Sequence, residues 1–290
     1  MANLNLLVIG GSGFVGARLT KAAVDAGWSV AYTYLKKELK ISTKSFRVDI
    51  KDIQSIGACI AEIRPNIIIY CAKPSLDADE ADHQAVSVDG VRQLLGLLDE
   101  EHCKFIYVST NAVFSGKCGQ YCEGDTPDAD KKHDQYRHYA MARARGEQLV
   151  LSHPSNTIVV RTADVNGRDV EGKLNARLEY LVRQLLAGHA VERFSRCYMS
   201  PTLVDDLVVG LLRISSADFI YKGVLHLAGS DRISYYNFAQ LLANQIGVDR
   251  ELIKSDISRE QDLSLNSAYT QKLINTSFLG VKDQLAQIFS

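Results

Sequence analysis

Three residues of this 290-residue chain, Thr110, Tyr139 and Arg143, carry side chains suited to proton transfer at a carbonyl. Tyr139 and Arg143 are one helical turn apart, so on a helix both project from one face. A phenol placed this way can hand a proton to a carbonyl oxygen as hydride arrives at the carbon, provided that a neighbouring cation lowers its pKa. Taken alone, a Tyr and an Arg at this spacing are more often an exposed pair. Thr110 supplies a context: it follows the run 104–109 (Lys-Phe-Ile-Tyr-Val-Ser), which reads as a buried central strand, and open parallel sheets bind ligands just past their strand ends.

Hydride needs a carrier, and the N-terminal stretch predicts a site for one. The apolar run 4–9 leads directly into Gly10-Gly11-Ser12-Gly13-Phe14-Val15-Gly16, and a helical pattern covers 14–26. Strand, glycines three apart and helix follow one another as in a dinucleotide-binding βα unit. Gly10 permits the tight turn out of the strand, Gly13 lets a pyrophosphate approach the backbone, and Gly16 lets the helix lie close on the sheet. The helix N-terminus, with Phe14 and Val15 in its first turn, offers unpaired N–H groups and a positive dipole end to the anion. A second strand over 29–35 ends in Lys36-Lys37, with no Asp or Glu before Glu38. An acidic residue there would accept hydrogen bonds from free ribose hydroxyls, whereas a cation pairs with a 2′-phosphate, so NADP(H) is favoured over NAD(H).

Strand patterns over 46–50, 66–70, 104–109 and 157–161 alternate with helical patterns over 52–64, 81–102 and 135–151. This alternation predicts an α/β fold with a doubly wound, parallel Rossmann sheet. The stretch 66–70 (Asn-Ile-Ile-Ile-Tyr) is apolar throughout, as a strand covered on both faces must be. Residues 115–134 are polar and aperiodic, and loops of that length inside a domain tend to be functional. Beyond Gly167 the pattern loosens into helices over 175–187, 204–214 and 235–246 and a strand over 223–227. The expected division is an NAD(P)-binding Rossmann domain over 1–165 and a smaller, mainly substrate-binding lobe over 166–290, with some segments interleaved with the first domain. Within the lobe, Arg168, Phe194, Arg196 and Tyr198 are pocket candidates, the arginines being suited to a diphosphate.

A formal net charge of -1 leaves no basic excess for a nucleic-acid partner. No apolar run is long enough to cross a bilayer and no secretory leader pattern opens the chain, so a cytoplasmic, soluble protein is expected. The six cysteines are scattered; Cys118 and Cys122 are close, but no second ligand pair accompanies them and no metal is expected. The histidines form no metal pair, and no serine sits on a nucleophile elbow.

The order of motifs resembles the extended short-chain dehydrogenase/reductases, and within them the dTDP-4-dehydrorhamnose reductase branch. Residues 10–16 look like its nucleotide loop, and Val48-Asp49-Ile50 like the segment whose carboxylate meets the adenine. Arg64-Pro65-Asn66-Ile67-Ile68-Ile69, followed by Cys71-Ala72, resembles "RPDVVIN", and Leu76-Asp77-Ala78-Asp79-Glu80 resembles "VDxAE". Ser109-Thr110-Asn111-Ala112-Val113-Phe114-Ser115-Gly116 is similar to "STDYVFDG", with Tyr121-Cys122-Glu123-Gly124-Asp125-Thr126-Pro127, Arg161-Thr162, Ser200-Pro201-Thr202 and Asp205-Asp206 matching later stretches. The resemblance implies that Thr110 and Tyr139 are the catalytic hydroxyl pair and that Arg143 holds the nicotinamide ribose. Cys71, Ala72, Lys73 and Ser109 are implied along the cofactor, and Asn111, Ala112, Val113 and Arg196 toward the substrate.

The family reads Tyr, Lys four later and Glu four later again; here the three are Tyr139, Arg143 and Glu147. Arginine keeps the charge on a planar fork of different reach. Ser87 stands where relatives often have Asn, Asn111-Ala112 replaces Asp-Tyr, and the stretch 128–138 is longer than usual. The implied activity is NADPH-dependent reduction of a ketone, most simply on a 4-keto sugar nucleotide. A second reading is a non-catalytic, NADP-binding partner protein resembling the regulatory subunit of methionine adenosyltransferase; Lys36-Lys37, Trp28 and the departures point that way. A third is a sugar-nucleotide epimerase or dehydratase, which ranks last because Asn111-Ala112 offers no acid/base pair. A homodimer, or a protein partner under the second reading, stays open.

Overall fold

The computed structural model describes residues 5–98, 102–132 and 135–290. Strand β1 (Asn5–Ile9) feeds helix α1 (Phe14–Asp25) through the glycine loop, and β2 (Ser29–Tyr34), β3 (Lys44–Arg47), α2 (Ile53–Ile63) and β4 (Ile67–Tyr70) follow. Asp52 caps α2 by accepting from the Gln54 amide at 3.0 Å, and Arg64 ends it in the left-handed region at φ 46°. Next come α3 (Glu80–Gln84), one π turn (Ala85–Asp89), α4 (Gly90–Leu95), β5 (Lys104–Thr110), α5 (Arg137–Ser152) and β6 (Thr157–Thr162). The second half holds β7 (Val165–Asn166), α6 (Ala176–Leu186), β8 (Val191–Met199), β9 (Thr202–Leu203), α7 (Val204–Ser215) and β10 (Gly223–His226). It closes with β11 (Ile233–Ser234), α8 (Tyr235–Gln245), β12 (Ile253–Asp262), α9 (Ala268–Leu273) and α10 (Val281–Ile288).

Seven strands form one parallel sheet in the order β10-β6-β5-β4-β1-β2-β3. The doubly wound α/β arrangement expected from the alternation is therefore present. Its order reverses between β1 and β4, and the crevice beyond that switch point is where such sheets take ligands. Successive residues of β1 serve opposite cores: Leu6 and Val8 pack with α1 and α7, whereas Leu7 and Ile9 pack with α2 and α4. Full burial of each such side chain contributes about 1.5–3 kcal/mol, which fixes the strand's register and hence the position of the loop after it.

Several boundaries differ from the sequence reading. The single helix expected over 81–102 is α3, the π turn and α4, and α4 stops at Leu95 before Gly96; residues 99–101 lie outside the described residues. The extra residue of the π turn shifts the buried face, which periodicity alone does not register. β3 ends at Arg47, so Asp49 sits in the following turn, where it accepts from the Lys51 amide at 3.0 Å. The polar stretch 115–134, of which 133–134 lie outside the described residues, is pinned: Phe114 and Tyr121 stack at 3.9 Å, and Asp128 accepts from the Ser115 amide and hydroxyl at 2.6 and 2.7 Å. The main strands missed, β8 and β12, pair in parallel but are rich in charged residues and broken by a register shift between Asp256 and Glu260, so neither shows clean alternation.

Candidate active site

The ends of β1, β4 and β5 meet at one side of the sheet, where the Cys71 amide donates to the Ile9 carbonyl at 2.9 Å. Above them opens a cleft of about 1430 Å³. The glycine loop forms its floor, and three of its four glycines have a steric reason. A Cβ on Gly10 would lie 2.8 Å from Ala72 backbone atoms, one on Gly16 2.4 Å from the Gly10 carbonyl oxygen. Gly11, which the motif reading left without a task, passes so close over Tyr32 that a Cβ would sit 2.4 Å from the Tyr32 Cβ. At Gly13 a Cβ would meet only the Gly10 carbonyl, at 3.4 Å, so that face of the loop is open. Gly13 is also the N-cap of α1 and brings no side-chain cap, which leaves the first-turn amides to an anion. These features fit a dinucleotide pyrophosphate.

Phe14, Val15, Lys36, Asp49 and Ile50 border the same cleft, as do Cys71, Ala72 and Lys73. Burial, with the charge of Arg143 adding to it, pushes the Lys73 amine below its ordinary pKa. Lys37 turns the other way and pairs with Glu171 at 2.6 Å. The two lysines of the pair thus separate, and only Lys36 faces the cleft.

The inner face of α5 presents Tyr139, Arg143 and Glu147, all buried. Tyr139 borders the cleft, and its ring packs 5.6 Å from that of His83, a buried residue of α3 with Nδ1 unpartnered. Arg143 is 2% exposed. Its guanidinium donates to the Val108 carbonyl and, at 3.3 Å, to the Ala72 carbonyl, and lies 4.4 Å over the Tyr107 ring, while Nε is buried without a partner. Burial opposes the charge, yet the Tyr107, Tyr139 and Tyr70 phenols and Glu147 outweigh it and raise the Arg143 pKa further. The guanidinium therefore lies in the wall of the site, held by two backbone carbonyls, whereas the resemblance implied a side chain that holds the nicotinamide ribose.

Thr110 borders the cleft with its hydroxyl engaged locally: it accepts from the Ala112 amide at 3.1 Å and donates to Asn111 Oδ1 at 3.2 Å. Asn111 in turn donates to the Leu263 carbonyl at 3.0 Å, so a loop of the second half fixes its amide. Ala112 also lines the cleft. Ser109 lines it too, but its hydroxyl donates to Glu147, which holds Arg161.

Four candidates fall elsewhere. Val113 is fully buried in a small core with Phe114 and Tyr121. Arg196 is exposed and faces Glu260 at 4.0 Å, because the bulged pairing of β8 with β12 turns Arg193, Phe194 and Cys197 to the cleft in its place. Arg168 donates to the Ile288 and Gly172 carbonyls, and Tyr198 lies under Arg232 at 3.6 Å. The cleft-facing cations that the sequence reading missed are, among the described residues, Lys51, Arg177, which pairs with Asp164 at 2.6 Å, Arg193, Lys132 and Arg259. No motif spacing marks them, since they arrive from the first turn of α6, from β8 and β12 and from separate loops.

Among the described residues no helix is long and apolar enough to cross a membrane. The chain is 27% identical over 255 residues to a dTDP-4-dehydrorhamnose reductase of Mycobacterium tuberculosis, spanning 86% of this chain and 78% of that protein. It is 23% identical over 256 residues to methionine adenosyltransferase 2 subunit beta of Xenopus tropicalis, spanning 82% and 71%. A crystal structure of dTDP-4-dehydrorhamnose reductase from Bacillus anthracis, in complex with NADP, superimposes with a TM-score of 0.81 at 19% identity over 99% of both chains. With the family model of the RmlD substrate binding domain matching residues 4–275, the chain belongs to that family.

Proposed function

We propose that this protein is an NADPH-dependent reductase of a sugar-nucleotide ketone, most simply a 4-keto sugar nucleotide. The observation that carries the reading is the convergence of Thr110, Tyr139 and the Arg143 charge on one cleft with an open glycine loop. The relatives named dTDP-4-dehydrorhamnose reductase support the same chemistry. A bound NADPH would supply the hydride. Tyr139 donates the proton to the carbonyl oxygen, and Thr110, once its hydroxyl swings from Asn111 Oδ1, hydrogen-bonds that oxygen. Arg143, held by two backbone carbonyls, favours the phenolate that Tyr139 becomes.

Lys36 supports the preference for a 2′-phosphate, and Asp49 and Ile50 a place for the adenosine end. Residues 166–290 serve mainly as the substrate lobe, with β10 and α7 interleaved into the first domain's sheet and core. The test is NADPH consumption against a panel of 4-keto sugar nucleotides by the wild type and Tyr139→Phe. Turnover by the wild type that falls by roughly 10²–10⁴ in the variant is the expected result; equal rates would remove Tyr139 from the chemistry.

The commitment of the Arg143 guanidinium to carbonyls favours one second reading, an NADP-binding partner protein without turnover of its own. NADPH binding with no consumption on any ketone, and a stoichiometric partner recovered by pull-down, would favour it over the reductase.

A further inference from the structure

The parallel sheet lays out the cleft in the order of its strands. The glycine loop follows β1 and Lys36 follows β2 on one side, while the loop after β4 and Thr110 at the end of β5 stand on the other. A dinucleotide lies across the switch point of such a sheet. With its pyrophosphate on the α1 amides and its adenosine end toward Lys36, its other half falls over β4 and β5. Tyr139 reaches that half from α5, which packs on β5 and β6.

Arg143 has little to give a ligand there. It is 2% exposed, its two terminal nitrogens donate to the Val108 and Ala72 carbonyls, and its Nε is buried. What the guanidinium does hold is the backbone immediately before Lys73. The Lys73 side chain is exposed on the cleft, and among the described residues no hydrogen bond or ion pair takes its amine. Its charged neighbour is Arg143, which repels it, and the His83 ring that packs 5.6 Å from the Tyr139 ring also feels its charge. A lysine carries three donors on a flexible stem, unlike the rigid fork of an arginine. An amine without acceptors of its own, on the wall of a cleft, is set for acceptors that a ligand brings.

We propose that Lys73 supplies the amine that hydrogen-bonds the nicotinamide half of a bound NADP(H), the task that the family motif places four residues after the tyrosine. Arg143 serves it by fixing the Ala72 carbonyl, from which the Lys73 backbone departs. Two side chains thus divide the work of one lysine: the guanidinium stays in the wall as charge and brace, and the amine reaches the ligand from the loop after β4. The assignment rests on the reading that this cleft takes NADP(H).

The test is calorimetric titration of the full chain with NADPH and, separately, with 2′,5′-ADP, which carries the adenosine end and its 2′-phosphate but no nicotinamide half. Lys73→Gln is compared with wild type, and Lys37→Gln, at an exposed lysine paired with Glu171, is the control. NADPH binding weakened about tenfold or more in Lys73→Gln, with 2′,5′-ADP binding unchanged and the control like wild type for both, is expected from loss of one charge-assisted hydrogen bond. Equal NADPH affinity in wild type and Lys73→Gln overturns the proposal. So does equal weakening of both ligands, because the Ala72 backbone lies against Gly10 and a merely distorted loop would disturb the phosphate site that both ligands share. A wild type that binds neither ligand removes the nucleotide reading itself, whereas a wild type that binds both, with Lys73→Gln indifferent, removes Lys73 alone. Turnover is not read, so an inactive enzyme leaves the outcome intact.

Discussion

Glu147 and Arg161 face each other with side chains 1% and 2% exposed, joined by contacts of 2.8, 3.1 and 3.2 Å. Arg161 also donates to the Asp125 carbonyl at 3.2 Å and lies 4.9 Å over the Phe114 ring, so this pair ties α5 and β6 to the loop after β5. Removing one partner leaves the other charge buried and alone. Glu147→Ala should lower unfolding stability by about 3–5 kcal/mol in urea titration, far more than loss of an exposed pair such as Lys21–Asp25.

Arg143→Lys should reduce stability and turnover together. A lysine has one nitrogen for the two carbonyls of Val108 and Ala72 and cannot stack as a plane on Tyr107. An unpaired buried carbonyl costs about 1–3 kcal/mol. A thermal melt and a kcat measurement on the same preparation check this; a variant as stable as wild type and faster would show that the arginine's carbonyl contacts are dispensable.

Lys36→Ala and Lys37→Ala should separate, because Lys36 borders the cleft and Lys37 is paired with Glu171. Loss of one charge-assisted contact predicts roughly tenfold or weaker NADPH binding for Lys36→Ala with NADH unaffected. Lys37→Ala should leave both within about twofold, on the small worth of an exposed ion pair. Fluorescence titration of each nucleotide gives the answer.

Acid should destabilise the chain partly through His226. Its ring is fully buried, and burial, aided by Arg161 and opposed by Glu123, depresses its pKa to about 4 from 6.5. Between these values the unfolded chain binds a proton that the folded chain refuses. Stability from the neutral ring is therefore intact above pH 6.5 and lost as pH falls toward 4, by an amount on the order of a few kcal/mol. His226→Asn should flatten the stability–pH curve over that window relative to wild type, as read by urea unfolding at a series of pH values.

The sequence was most legible where a requirement is local. Gly10 and Gly16 are dictated by contacts within one loop and its neighbouring strand, and Tyr139, Arg143 and Glu147 by the repeat of a single helix. It was silent where the partner is remote. The carbonyls that hold Arg143 lie 35 and 71 residues away, and the loop that fixes Asn111 lies 152 residues away. Adjacent residues on a turn gave the same problem on a smaller scale: nothing in Lys36-Lys37 says which faces the cleft. β8 and β12 escaped notice because a strand with charged residues and a register shift loses the period that announces it. Arg196 was misplaced for the same reason.

The placement of β10 at the edge of the large sheet bears on how the chain can be made. Val224 pairs beside Val159, and Leu225, Leu227, Ile274 and Phe278 complete the core that Leu6 and Val8 begin. A ribosome that has delivered residues 1–165 has therefore released every element of the glycine loop and of α5, yet β6 still lacks its outer neighbour and that core lacks its last side chains. The nucleotide half cannot finish folding ahead of the rest, and a nascent chain must keep an unpaired strand edge from other chains until residues 223–278 emerge.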